Sequence, residues 1–130
     1  MEHFCTERRI YYHDTDCGGV VYYAKYLEHL EEGRAEFCLS KGVNLAQYVA
    51  KGIAFPVVHL EIEYKHPARY GDYIKIFTRL EKMGNSSLCF VQEIKKEDTL
   101  LVRVKTTWAC VGNNFQPRPI PLEIRKALAN

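Results

Sequence analysis

Two aspartates, Asp14 and Asp16, stand two residues apart in the segment Tyr-Tyr-His-Asp-Thr-Asp-Cys-Gly-Gly-Val-Val-Tyr-Tyr that covers residues 11–23. Gly18 and Gly19 follow, and a helix pattern begins directly after them. In an extended segment, residues two apart share a side, so both carboxylates are able to face one pocket. A carboxylate can attack an acyl carbon or activate water. Backbone N–H groups at a helix start favour negative charge as it develops on a carbonyl oxygen. Together these are the minimum equipment for acyl transfer. The same residues admit a plainer reading, in which aspartates before Gly-Gly form a turn or a cap. The glycines serve that turn and also let a substrate approach the backbone where a side chain would clash. Close approach expects Gly19→Val to cost activity more than stability.

Other reactive types are present with less support from their surroundings. Arg34 falls inside the apolar stripe of the helix, where an unpaired guanidinium is costly. Glu31, one turn earlier, would satisfy it as an i, i+3 pair. Glu31 is also the fallback candidate for the reactive carboxylate, and Asp14 is read as an acceptor that holds the turn. His13, His29, His59 and His66 titrate near neutral pH. Position favours surface or packing roles for them: His29 lies off the stripe, and the side chain of His13 should point away from that of Asp14. Cys17 adjoins Asp16, yet no histidine is placed to activate it. No histidine–acid pair is evident.

The elements that must position these groups follow from periodicity. Residues 4–12 read as a first strand and residues 22–40 as a helix. On that helix Tyr23, Tyr26, Leu27, Leu30, Gly33, Phe37 and Cys38 share one stripe. Gly42 ends the pattern, and Asn44 caps a short second helix through about residue 50. The rest alternates with period two. Val58, Leu60, Ile62 and Tyr64 share one face of a strand near 55–65; Ile74, Ile76, Thr78 and Leu80 do so near 72–82. Leu88, Phe90 and Ile94 follow, then Val102, Val104, Thr106, Trp108 and Cys110. Turn signals at Pro67 to Gly71, at Gly84-Asn85-Ser86 and at Glu97-Asp98 separate strands joined mostly by hairpins. Pro117, Pro119 and Pro121 end the sheet region, and a short helix begins at about Leu122. An α+β domain results, one antiparallel sheet covered by one long helix, with residues 1–130 read as a single domain. Tyr73 and Phe77 on the opposite sheet face hint at a second buried surface.

Composition excludes several classes. The chain of 130 residues is 47% apolar and 26% charged, with a net charge of +2 and no basic block. A nucleic-acid surface has little support. No apolar run approaches the roughly 18 residues of a membrane span, and the N-terminus lacks the order of a signal peptide. Cysteines 5, 17, 38, 89 and 110 are odd in number and form no CxxC pair. Free thiols in a reducing, cytoplasmic compartment fit them, and a zinc site does not.

Element order and three motifs resemble the hot-dog-fold acyl-CoA thioesterases, in particular the YbgC-type branch of the 4-hydroxybenzoyl-CoA thioesterase family. The motifs are the segment from Tyr12 to Tyr23, His66-Pro67-Ala68-Arg69-Tyr70-Gly71-Asp72, and Gln116-Pro117-Arg118-Pro119-Ile120-Pro121. The resemblance implies a hot-dog fold, a five-stranded antiparallel sheet wrapped around one long helix. By the same resemblance Asp16 is the catalytic carboxylate, as nucleophile or general base, and the backbone N–H of Tyr23 polarises the thioester carbonyl. The branch usually carries histidine where this chain has Tyr23; the backbone donor survives that change and an imidazole role does not. Gly18, Gly19, Val20 and Tyr26 are expected to contact substrate, with the acyl group running past Tyr26, Leu30 and Gly33. Lys82, Ser86 and Ser87 are expected to meet the nucleotide part of coenzyme A. Hot-dog proteins pair about a two-fold axis, so a homodimer or homotetramer is implied, with the site at the boundary between chains.

These expectations amount to an acyl-CoA thioesterase that releases a free acid and coenzyme A without metal or redox cofactor. Two other classes stay open at this stage. One is a non-catalytic hot-dog subunit that binds acyl-CoA or a protein partner. The other is a hot-dog dehydratase, which relies on a histidine–acid pair.

Overall fold

The computed structural model describes residues 4–129. Strand β1 (Cys5–Arg9) is followed by a single 3-10 turn (Tyr12–Asp14), helix α1 (Lys25–Ser40) and a short helix α2 (Leu45–Val49). Then come β2 (Val57–Tyr64), β3 (Tyr73–Met83), β4 (Ser87–Lys96) and β5 (Thr99–Ala109), and a last helix α3 (Leu122–Leu128). The strands form one antiparallel sheet in the order β1-β3-β4-β5-β2. This is the five-stranded hot-dog arrangement expected from the sequence, with α1 lying on the sheet. No helix among the described residues is long and apolar enough to cross a membrane.

Hairpins join β3, β4 and β5, but the link from β2 to β3 is not one. β2 pairs with β5 at one edge of the sheet, while β3 lies beside β1 near the other. The second motif therefore carries the chain across the sheet instead of turning it back. Periodicity reads strand faces but not strand neighbours, so this crossing was invisible in it.

The stripe that α1 buries differs from the expected one. Tyr26, His29, Leu30, Gly33, Arg34, Phe37 and Cys38 are buried. Tyr23 is 62% exposed and Leu27 38%. Tyr23 precedes the helix, in a turn where Lys25 N–H donates to the Tyr22 carbonyl at 2.8 Å. Two polar residues replace the missing apolar ones because each has company inside. Arg34 does not take Glu31 as its hydrogen-bond partner. Its Nη1 donates to Gln92 Oε1 at 3.0 Å and to Thr106 Oγ1 at 3.5 Å. Gln92 in turn donates from Nε2 to the Leu30 carbonyl and to Thr78 Oγ1. Gly33 permits this close contact of helix and sheet: a Cβ there would sit 2.9 Å from Ile76 Cγ2 and 3.0 Å from Gln92 Nε2.

Two apolar clusters hold the layers together. Ile10, Val21, Tyr26, Leu30, Ala68, Ile74, Ile76, Ile94 and Val102 pack at the end where α1 begins. Phe37, Cys38, Leu88, Phe90, Trp108, Ile120, Ile124 and Leu128 pack at the other. Each large side chain so buried contributes about 1.5–3 kcal/mol. The inward faces of β3 and β5 are as expected from alternation. That of β2 is not: Leu60 and Ile62 are half-buried, while Val58 is 60% and Tyr64 45% exposed. β2 is an edge strand, and among the described residues its outer side is unpaired.

Candidate active site

The first strand ends early, at Arg9 rather than Tyr12, because Asp14 bends the chain. Its Oδ2 accepts the Tyr11 N–H at 2.8 Å, and its own N–H donates to the Tyr11 carbonyl at 3.0 Å. A tight hairpin follows. Thr15 bridges to Val21, Asp16 N–H donates to the Val20 carbonyl at 3.0 Å, and Gly19 N–H to the Asp16 carbonyl at 3.1 Å. This is a turn closed by a left-handed residue, and Gly19 supplies it with φ +79°. At the hairpin base, Tyr22 N–H donates to the Asp14 carbonyl at 3.1 Å.

Asp16 is exposed at the head of this hairpin. Its Oδ1 accepts the Gly18 N–H at 2.8 Å, which leaves Oδ2 for chemistry. A Cβ on Gly18 would stand 3.2 Å from that Oδ1. The N–H of Tyr23 makes no hydrogen bond among the described residues. Its carbonyl accepts the Tyr64 hydroxyl at 3.1 Å. A carboxylate and a free backbone donor thus flank one short hairpin, two residues before α1 begins.

The second motif holds that hairpin from outside. Val20 bridges to Arg69, Val21 N–H donates to the Ala68 carbonyl at 2.8 Å, and Tyr70 N–H to the Gly19 carbonyl at 3.3 Å. Ala68 N–H donates to the Tyr26 hydroxyl at 2.9 Å, deep in the core. Burial pushes the Tyr26 phenol above its ordinary pKa. Gly71 and Asp72 exchange backbone bonds with Ile10, and Lys96 pairs with Asp72 at 3.0 Å. A cavity of about 250 Å³ opens beside this junction, lined by Val21, Tyr23, Tyr26, Tyr64, Lys65, His66 and Pro67.

Several expected residues are not brought here. Leu30 and Gly33 are closed into the core of the single chain and Tyr26 is 3% exposed. Glu31 is exposed and lines a separate groove of about 300 Å³ with Arg34, Phe55, Val57 and Trp108. Lys82, Ser86 and Ser87 lie at the far end of β3 from Asp72. Eleven strand residues put them about 30 Å away along the sheet. The third motif joins them there, where Ile120 N–H donates to the Asn85 carbonyl at 3.0 Å. A larger concavity, about 740 Å³, is on the outer sheet face and away from Asp16. Its walls carry paired charges, Arg103 with Glu93 at 3.1 Å and Lys105 with Glu81 at 3.3 Å. Such exposed pairs form a solvated ladder rather than a site.

The histidines bring two corrections. His13 does not point away: its Nδ1 is 3.4 Å from Asp14 Oδ1. His29 does not lie off the buried stripe but is 1% exposed, with Nε2 3.4 Å from the same oxygen. A histidine–acid pair therefore exists, although buried out of substrate's reach. Nothing in the local pattern signals it, because the pair forms only when the 3-10 turn folds back on α1. The five cysteines are free, and burial pushes the Cys38 thiol up to about 12.

Residues 11–128 match the family model described as the thioesterase-like superfamily. The chain belongs to that superfamily. It is 37% identical over 118 residues to the acyl-CoA thioester hydrolase YbgC of Escherichia coli O6:H1, covering 89% of this chain and 88% of the relative. It is 30% identical over 115 residues to the 1,4-dihydroxy-2-naphthoyl-CoA hydrolase of Synechocystis, covering 86% and 83%. Among solved structures, a probable thioesterase from Bartonella henselae has a TM-score of 0.85 at 34% identity, covering 90% and 98%. The 1,4-dihydroxy-2-naphthoyl-CoA thioesterase Slr0204 from Synechocystis has a TM-score of 0.91 at 27% identity, covering 98% and 96%. These relatives bear out the expectation of a thioester hydrolase and of the YbgC-type branch.

Proposed function

We propose that this thioesterase hydrolyses an acyl-CoA thioester to a free acid and coenzyme A, with Asp16 as its reactive carboxylate. The observation that carries this is the pairing of an exposed Asp16, oriented by the Gly18 N–H at 2.8 Å, with an unengaged Tyr23 N–H on the same hairpin. The thioester oxygen lies on the Tyr23 N–H, which stabilises its negative charge. One such donor is worth about 3 kcal/mol. Asp16 then acts in one of two ways. As nucleophile, Oδ2 bonds to the acyl carbon and expels the coenzyme A thiolate; water cleaves the mixed anhydride and restores the carboxylate. As base, it takes a proton from water, whose oxygen bonds to the acyl carbon; the tetrahedral adduct then collapses, breaking the C–S bond to release the free acid, and the departing coenzyme A thiolate takes up the proton from Asp16. Neither route calls for a metal or a redox cofactor. The buried Asp14–His29 pair gives no support to a dehydratase, since no substrate atom reaches it.

Lys82, Ser86 and Ser87 are too far from their own Asp16 to share its substrate. The reading therefore has them serve the Asp16 of a second copy in a homodimer. Free thiols suit a cytoplasmic setting.

A hydrolysis screen across acyl-CoA chain lengths and aromatic thioesters tests the activity and defines the acyl group. In it Asp16→Asn lowers turnover by at least about 100-fold, with an unchanged melting temperature. Glu31→Gln leaves turnover near wild type. The reverse outcome moves the reactive carboxylate to α1, and acyl-CoA binding without any hydrolysis leaves a non-catalytic subunit.

A further inference from the structure

Behind the Asp16 hairpin lies a buried cluster that the proposed reaction does not touch. Asp14 and His29 are each 1% exposed, and His29 Nε2 stands 3.4 Å from Asp14 Oδ1. That oxygen and both ring nitrogens of His29 have no hydrogen-bond partner among the described residues. Buried polar atoms so placed are uncommon and costly. An apolar ring of similar size would fill the space without them.

Asp14 is the joint of the site. Its Oδ2 accepts the Tyr11 N–H and faces Arg8 Nη2 at 3.5 Å. Its carbonyl accepts the Tyr22 N–H. It thus grips both arms of the hairpin, two residues before Asp16 and across from the residue before Tyr23. His29 is the residue of α1 that meets this joint from behind.

We propose that His29 is a positioning residue for thioester hydrolysis: its imidazole, with Nε2 3.4 Å from Asp14 Oδ1, packs α1 against the hairpin base and so sets the Asp16 carboxylate against the Tyr23 N–H. The proposal rests on the roles given above to Asp16 and Tyr23. The charged groups around the imidazole come from three elements. Arg8 comes from β1, His13 and Asp14 from the 3-10 turn, and Glu28 and Glu32 from α1 itself. Arg8 is shared between Asp14 and Glu32, the latter at 3.1 Å, and Glu28 is held by Lys25. Burial first, then Arg8, hold the imidazole below its ordinary pKa, with Asp14, Glu32 and Glu28 opposing. The neutral ring is therefore the working form. Protonation sets a second cation beside Arg8, shifts Asp14 and lowers kcat.

Purified full-length chain and the fastest acyl-CoA from the screen test this. His29→Phe lowers kcat by about tenfold or more, because small misplacements of reacting groups are costly. KM stays within about twofold, since binding contacts are intact. The melting temperature does not fall. His29→Gln returns an amide N–H near the Nε2 position; it recovers most of kcat, and its kcat–pH profile lacks the wild-type inflection below pH 6.5. His29→Phe with wild-type kcat and pH profile overturns the proposal. So does His29→Gln that performs no better than His29→Phe. If Asp16→Asn is inactive while His29→Phe is normal, only the His29 role fails. If Asp16→Asn keeps its turnover, the Asp16 assignment fails and this proposal goes with it.

Discussion

Gly18 and Gly19 are neighbours with different duties. Gly19 sits at φ +79° and a Cβ there would meet nothing within 4 Å, so its constraint is conformational. Any L-residue there pays the left-handed penalty of about 1–2 kcal/mol. Gly18 lacks that torsion, but a methyl there presses on Asp16 Oδ1 at 3.2 Å. Gly19→Ala should therefore lower the melting temperature while the folded enzyme keeps its kcat. Gly18→Ala should keep the melting temperature and lower kcat several-fold by displacing the carboxylate. This reverses the expectation that Gly19→Val would cost activity more than stability; calorimetry beside steady-state kinetics separates the two. His29 gives a pH prediction at the same scale. Its folded pKa is lowered from the ordinary 6.5 by burial, so below about pH 6.5 the unfolded chain binds the proton more readily. Stability is full above that pH and declines as acid is added, until the folded pKa is passed. Melting temperatures measured from pH 7.5 down to pH 5 should fall less steeply for His29→Phe than for wild type.

Among the elements, β2 reaches the site through one bond, from the Tyr64 hydroxyl to the Tyr23 carbonyl. A net hydrogen bond of this kind is worth about 1 kcal/mol. Tyr64→Phe should therefore lower kcat/KM about fivefold, with little change in melting temperature because Tyr64 is largely exposed. Unchanged kinetics would show that the helix start holds itself. The inward phases of β3, β4 and β5 were legible in the sequence because alternation is local. So were Gly42 as a helix stop, at φ +82°, and Asn44 as a cap, whose side chain accepts the Ala46 N–H. The true face of α1 was not. Arg34 and His29 are buried by partners from distant segments, Gln92 and Thr106 for one and Asp14 for the other. Hydrophobic spacing has no term for such partners. Placing Asp16 in a turn just ahead of the helix followed from the motif; the clamp by Ala68 and Arg69 did not, because it depends on the crossing between β2 and β3.

For the whole molecule the open question of assembly centres on β2. Val57 and Val58 are 47% and 60% exposed on a strand whose outer side is unpaired. Such an edge invites pairing with an identical edge about a two-fold axis. Light scattering at micromolar concentration should find at least a dimer. Val58→Lys should weaken it and reduce hydrolysis in parallel, as charged residues on edges do. A monomer with full activity would exclude the shared site.

The hydrogen bond from Val21 N–H to the Ala68 carbonyl joins residues 47 positions apart. Closing so long a loop costs entropy before any contact is gained. The Asp16 hairpin is short enough to form by itself, yet its clamp waits for β2 to be laid down and for the chain to return across the sheet. A ribosome must therefore have released more than half of this chain before the Asp16 turn is held in this shape. Until then the growing chain has a core helix and an unclamped hairpin.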